Sequence, residues 1–153
     1  MATFIGDYQC RLDSKGRFIF PAAFKKQMPP GSSEQFVVRR DIFEQCLVLY
    51  TIDDWNLQLD RIRNRINPYN REHNLFIRNF FKGTAEVTLD SSNRILIPKR
   101  LLDIAGIDRD IVLAGQDGRI EIWDVKRYEG IEMKPDEFAG LAEKLLGNKL
   151  NQE

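Results

Sequence analysis

Two stretches carry residue types at a spacing that suits specific chemistry: LDSKGRFIFP at 12–21 and LDSSNRILIP at 89–98. In each, an aspartate precedes an arginine by four residues, Asp13 with Arg17 and Asp90 with Arg94, and three apolar residues and a proline follow. Three chemistries compete for the pair. Two aspartates brought together by a twofold axis can share a proton, as in aspartic proteases. That arrangement needs small residues after each Asp and a glycine third in the loop. Ser14-Lys15 and Ser91-Ser92 follow here, which disfavours a dyad.

The other two readings are compatible with one another. An Asp at the start of a tight turn accepts hydrogen bonds from the turn's own N–H groups, and an Arg four residues on pairs back to it. Asp13 and Asp90 are therefore expected to structure the turns. Lys15 and Arg17 then stand at the tip of a hairpin, with Arg11 before it and Lys25 and Lys26 on the following short helix. Residues 8–33 hold these five basic side chains against one acid, Asp13. Such a tip can enter a DNA groove, where Arg or Lys reaches guanine edges and neighbouring Lys neutralise phosphate. The second turn has Ser92 and Asn93 in place of Lys15 and Gly16, and Arg94 keeps Lys99 and Arg100 as basic company. The expected DNA-binding set is Lys15, Arg17, Arg94, Lys25 and Lys26, with the first turn as the main contact. A solvated basic loop is the default for one such turn; two copies match the symmetry of duplex DNA.

The elements that must hold these turns repeat as well. The second motif begins 77 residues after the first (90 − 13 = 77), and CLVLYTIDDW at 46–55 aligns with RIEIWDVKRY at 119–128. In the first copy, strands are predicted at 8–12, 17–20, 35–40 and 46–51, with a short helix opened by Pro21. The second copy repeats the plan, with strands at 84–89 and 94–97, a helix at 99–105 ended by Gly106, and two strands around the Asp117-Gly118 hairpin signal. Between them, Trp55, Leu59, Ile62 and Ile66 recur at helical spacing. Asn67-Pro68 is expected to close that helix and open a second, 68–81, with Tyr69, Phe76 and Phe80 on one side. A third helix opened by Pro135 places Phe138, Leu141, Ala142, Leu145 and Leu146 on a stripe, and the final NKLNQE is expected to fray. This gives a first repeat at 7–54, a helical insert at 55–82, a second repeat at 83–128, and a C-terminal helix and tail at 129–153. A unit of this size is near the lower limit for independent folding, so the copies should pack together about a pseudo-twofold axis. The helices' second faces either serve subunit contacts or simply cover the sheet.

The counts narrow the function. The chain of 153 residues has one histidine, His73, and two cysteines, Cys10 and Cys46, with no CxxC spacing, so no cofactor, zinc site or disulfide framework is expected. Each cysteine is expected to be a buried free thiol. There is no convincing nucleophile or phosphate loop, and an enzyme is disfavoured. No window approaches the roughly 18 apolar residues of a membrane span, and the N-terminus lacks signal-peptide features; a reducing cytoplasm is expected. The 23 basic and 23 acidic residues give a net charge of zero, which argues against binding nucleic acid by bulk charge. The zero conceals an asymmetry: residues 1–82 carry 13 basic and 9 acidic side chains, and residues 83–153 carry 10 and 14.

The tandem LDxxxRxxxP turns, the helical insert and the C-terminal helix resemble the MraZ family of bacterial transcriptional regulators, whose halves are of the AbrB-like swapped-hairpin class. The resemblance covers essentially the whole chain. It implies an α+β, mainly β fold: two swapped-hairpin β-barrel halves related by a pseudo-twofold, with helices between and after them. It also implies a nucleoid-associated repressor of the division and cell wall gene cluster that binds repeated promoter elements in double-stranded DNA as a ring-like homo-oligomer. The family's motif falls on Asp13, Lys15 and Arg17 and on Asp90 and Arg94, while Asn93 departs from the small residue or Gly usual before the Arg. The competing expectation is an oligomeric interaction protein with only minor DNA binding.

Overall fold

The computed structural model describes residues 2–147, so the fraying expected of the final six residues lies outside the described part. The first repeat forms β1 (Asp7–Arg11), β2 (Arg17–Ile19), α1 (Ala22–Lys26), β3 (Gln35–Arg40) and β4 (Leu47–Thr51). The insert forms α2 (Ile52–Arg63) and α3 (Arg71–Phe81). The second repeat forms β5 (Ala85–Thr88), β6 (Arg94–Leu96), α4 (Lys99–Ile104), β7 (Asp110–Gln116) and β8 (Arg119–Asp124), followed by α5 (Val125–Glu129) and α6 (Pro135–Leu146).

The fold is α+β and mainly β, and its repeats interleave. One antiparallel sheet runs β1-β7-β8-β4-β3-β5, and β2 pairs with β6 in a two-stranded ribbon. Exchanging equivalent strands between the repeats reverses the sheet order and leaves it otherwise unchanged, which is the signature of a pseudo-twofold axis. The register places the axis: Val48 pairs with Glu121 at the β4–β8 seam, and Phe18 pairs with Ile95 in the ribbon. Each pair joins equivalent positions of the two copies. The first strand of each repeat pairs with the third strand of the other, β1 with β7 and β5 with β3. Ladder bonding does not run from the sheet's edge strands into the ribbon, but Phe18 and Ile95 on the ribbon's inner side are buried in the same cluster as Phe36, Leu49, Leu113 and Ile122 of the sheet.

The sheet's other face explains the helices. β4 is buried along its whole length because alternate residues face two cores: Leu47 and Leu49 join the main cluster, and Val48 and Tyr50 join Trp55 of α2 and Phe80 of α3. α2 starts where Thr51 accepts a hydrogen bond from the Asp54 N–H and donates one to the Asp54 carboxylate. In the second repeat α5 does the same work in miniature. Asp124 caps it by accepting from the Lys126 N–H, and Tyr128 lies 6.1 Å from Trp123, as Trp55 lies 5.7 Å from Tyr50. The aligned decapeptides are thus equivalent in space.

One expectation needs correction, at the start of the second insert helix. The second insert helix begins at Arg71, because Asn70 rather than Asn67 caps it, accepting from the His73 N–H. Asn67 closes a turn by accepting from the Tyr69 N–H, which leaves Tyr69 outside the helix and almost fully exposed. The N-terminal segment is structural: Phe4 is buried, and its N–H donates to the Asp117 carbonyl at 2.7 Å. On α6, Phe138, Leu141, Leu145 and Leu146 are all exposed.

Candidate nucleic-acid interface

The two turns are built alike. Asp13 Oδ1 accepts from the N–H groups of Lys15 and Arg17, both at 2.9 Å, and Oδ2 accepts from Arg17 Nε at 2.7 Å. Asp90 repeats this with Ser92 (2.8 Å), Arg94 N–H (2.9 Å) and Arg94 Nε (3.0 Å). Each aspartate thus accepts the same three hydrogen bonds in its own copy. Hydrogen bonding stabilises the charged carboxylate: the Arg17 N–H, followed by the Arg17 side chain and the Lys15 N–H, holds Asp13 down at about 2. Asp90 is lowered in the same way, the Arg94 N–H first.

Gly16 and Asn93 occupy equivalent left-handed positions, at φ 88° and 59°. Glycine adopts this region without steric cost, and asparagine is among the residues that tolerate it best. The departure at Asn93 therefore preserves the turn.

Because the ribbon is antiparallel and two-faced, Phe18 and Ile95 point inward, and Arg17, Ile19, Arg94 and Leu96 take the outer face. Arg17 lies opposite Leu96, and Arg94 opposite Ile19. The two arginines are thus offset by two residues along the ribbon, about 7 Å. Each is fastened to its aspartate through Nε, its side chain is 25% (Arg17) or 34% (Arg94) exposed, and its terminal nitrogens make no hydrogen bond among the described residues. Ile19 and Leu96 are 66% and 51% exposed between them. The sequence reading missed this aliphatic pair, although its period-two alternation with buried Phe18 and Ile95 was the available signal.

Strand exchange also redistributes the flanking cations. The Phe20 N–H donates to the Asn93 carbonyl, and the Ile97 N–H donates to the Gly16 carbonyl. The helix that follows each turn in sequence therefore starts beside the other turn. Lys25, counted as company for the first turn, donates from Nζ to Asn93 Oδ1 at 2.8 Å, so it stands at the second. Lys26 is exposed on the same short helix, and Lys99 and Arg100 open α4, whose preceding Ile97 is tied to Gly16. Arg11 is paired with Asp110 across the β1–β7 ladder at 3.1 Å. Lys15 remains exposed at the first tip.

Both cysteines are free. Cys46 is buried, but Cys10, expected to be buried, is half-buried on β1. Burial pushes both thiols up, with Glu121, Asp41 and Glu44 adding to the effect at Cys46. Asp41, Cys46 and Glu121 bring their ligand atoms within 4.8 Å of one another, but a thiol held protonated is a poor metal ligand. No helix among the described residues is long and apolar enough to cross a membrane.

The duplication along the chain is matched by a known family. The family described as "MraZ protein, putative antitoxin-like" matches twice, at residues 3–79 and 80–148. The chain belongs to the MraZ family. A protein from Christiangramia forsetii named transcriptional regulator MraZ is 42% identical over 149 residues, 97% of this chain and 96% of that protein. Proteins of the same name from Bacteroides thetaiotaomicron and Bacteroides fragilis are 41% and 40% identical, covering 100% and 95% of this chain. For an MraZ chain the two matches fall on the two interleaved repeats, one Asp-x-x-x-Arg turn in each.

Proposed function

We propose that this MraZ protein is a sequence-specific DNA-binding transcriptional regulator without enzymatic activity, with its outer ribbon face as the DNA contact. The observation that carries the reading is the pseudo-twofold pair of turns, each presenting an arginine fixed by its own aspartate on one face. A two-stranded ribbon fits the major groove, about 12 Å wide. The 7 Å offset between the arginines corresponds to about two base steps of roughly 3.4 Å each. Arg17 and Arg94 read base edges, and Ile19 and Leu96 between them offer apolar contact to thymine methyl groups or sugars. Lys15, Lys25 and Lys26 neutralise phosphate. Asp13 and Asp90 position the arginines. The first turn is the stronger contact because it carries Lys15 where the second carries Ser92.

The target is the promoter of the division and cell wall gene cluster, which the protein represses by occupying repeated elements in the nucleoid-bearing cytoplasm. Weak individual turns gain affinity by being held together in a ring-like homo-oligomer, which converts later contacts into intramolecular ones. The uncovered apolar stripe of α6 supports self-association, since a 12-residue helix gains little stability without tertiary packing. The same stripe favours the second reading, an assembly whose oligomer is the functional product and whose DNA binding is minor.

A mobility-shift titration of the full chain against its own upstream region, with and without competitor DNA, decides between them. The regulator retains the specific shift under competitor and loses it in a folded Arg17→Ala variant. The interaction protein shows no preference for the upstream region.

A further inference from the structure

A second basic site lies away from the ribbon, where β3 meets α3. Arg39 points to the sheet's outer face and is only 4% exposed. Its terminal nitrogens donate to the Arg40 carbonyl at 3.0 Å and to the Tyr50 hydroxyl at 2.8 Å, while its buried Nε has no partner among the described residues. The guanidinium lies 4.7 Å from the Phe80 ring centroid and 5.5 Å from that of Tyr50. Among the described residues no carboxylate lies within ion-pair distance of Arg39 or Arg40. Buried charges are ordinarily paired, because taking an ion out of water is costly. Ring faces offset only part of that cost.

Beside this cation is a cavity of about 270 Å³, lined by Arg39, Arg40, Ile42, Phe76, Asn79 and Phe80. Arg40 holds its rim through a 3.5 Å contact from its guanidinium to the Asn79 carbonyl. Asp41 also borders the cavity; its carboxylate accepts from the N–H groups of Phe43 and Glu44 and is engaged with its own loop. The walls thus combine two cations with two nearly parallel rings, Phe76 and Phe80, 5.9 Å apart.

We infer that this cavity binds a small organic anion, a carboxylate or phosphate group carried on a single planar apolar body. The guanidinium pair takes the oxyanion, for which its planar donor geometry is suited, and Phe76 and Phe80 take the body. The volume admits one ring with its charged group and lies just below the roughly 300–1,000 Å³ usual for ligand sites. The site shares no residue with the ribbon face and does not depend on DNA binding.

Calorimetric titration of the full chain with phenyl phosphate, benzoate, phenol and inorganic phosphate tests the inference. One phenyl phosphate or benzoate per chain is expected, with a Kd below about 1 mM. Phenol and inorganic phosphate, each lacking half of the recognised chemistry, bind at least tenfold more weakly, about 1.4 kcal/mol. Arg40→Gln at the rim and Arg39→Met in the interior each weaken phenyl phosphate at least tenfold, and promoter binding is unchanged; the half-buried Arg40 variant carries the test if Arg39→Met does not fold. Phenol binding as tightly as phenyl phosphate would show an apolar crevice only and overturn the proposal. So would unchanged affinity in Arg40→Gln, or no saturable heat up to 10 mM, the outcome expected if a neighbouring copy's acidic side chain fills the cavity.

Discussion

Replacing Arg17 by alanine removes the two terminal guanidinium nitrogens that have no partner among the described residues and leaves Phe18 and Ile95, the ribbon's buried pair, in place. Alanine also removes the 2.7 Å bond from Arg17 Nε to Asp13, while the two backbone N–H groups that donate to Asp13 remain to hold the turn. A bidentate arginine–guanine contact is worth about 1–3 kcal/mol of discrimination, which corresponds to about 5- to 150-fold in affinity. In an assembly that engages two first turns on one promoter the loss doubles to about 2–6 kcal/mol if the contacts are independent. Fluorescence anisotropy with labelled upstream DNA, repeated across a series of salt concentrations, measures both parts. If Arg17 instead neutralises a phosphate, the variant's log–log salt slope is shallower by about 0.9 per contact removed; if it reads a base, discrimination falls and the slope holds. Arg94→Ala should cost less, since Arg94 has Ser92 where Arg17 has Lys15. A folded Arg17→Ala protein whose affinity, base preference and salt slope all match the parent would refute the ribbon as the contact. Equal losses in the two alanine variants would refute the ranking of the turns.

The folded-state pKa of Asp13, about 2 against its usual 3.8, makes the first turn acid-sensitive. Since the shift is downward, its stabilisation is complete above about pH 5 and drains as pH falls through about 4 towards 2; thermal midpoints of Asp13→Asn against the parent should converge over that window, and a constant difference would contradict it. At Gly115 an added Cβ would sit 2.7 Å from the Phe4 carbonyl carbon, so Gly115→Ala should unseat the N-terminal segment at a cost of up to about 3–5 kcal/mol, the range for losing a buried Phe, read from denaturant midpoints; an unchanged midpoint refutes the contact. Ile19→Asp should abolish promoter binding while leaving the fold intact by circular dichroism, because Ile19 faces out of the ribbon; retained binding would remove the aliphatic pair from the interface. Leu141→Glu with Leu145→Glu should reduce the sedimenting species to smaller assemblies and lower promoter affinity at least tenfold through lost effective concentration, about 1.4 kcal/mol; intact assemblies would show that the α6 stripe is not the subunit contact.

Much of the architecture was legible because the repeat presents each element twice. The Asp-to-Arg spacing marks both turns, and alternation and Pro or Gly punctuation locate the strands and short helices. The partner of each strand was not legible: β1 reads as the same amphipathic pentapeptide whether it bonds to its own repeat or to β7 of the other. That ambiguity misplaced Lys25, which follows the first turn in sequence and meets the second in space. The start of α3 was hidden because Asn67 and Asn70 are equally good caps on paper; Pro68 between them fits a turn as well as a helix start. α5 is too short to show helical periodicity in Val125–Glu129, although its alignment with the start of α2 held the clue. At the site, the turn residues were visible by type, whereas Ile19 and Leu96 looked like core strand residues until the inward pair was known.

The self-equivalent pairs Val48–Glu121 and Phe18–Ile95 have a consequence for evolution and for the direction in which DNA is read. A single repeat has its edge strands bonded only in the other repeat, so a one-repeat ancestor with this topology would be an obligate dimer of identical chains. Such a dimer must offer two identical tips and suits a palindrome. Covalent fusion lifts that constraint: at the seam valine now faces glutamate, and at the tips Lys15-Gly16 has parted from Ser92-Asn93. The resulting face has a left and a right, and a unit with polarity can be laid head to tail along elements that all point the same way.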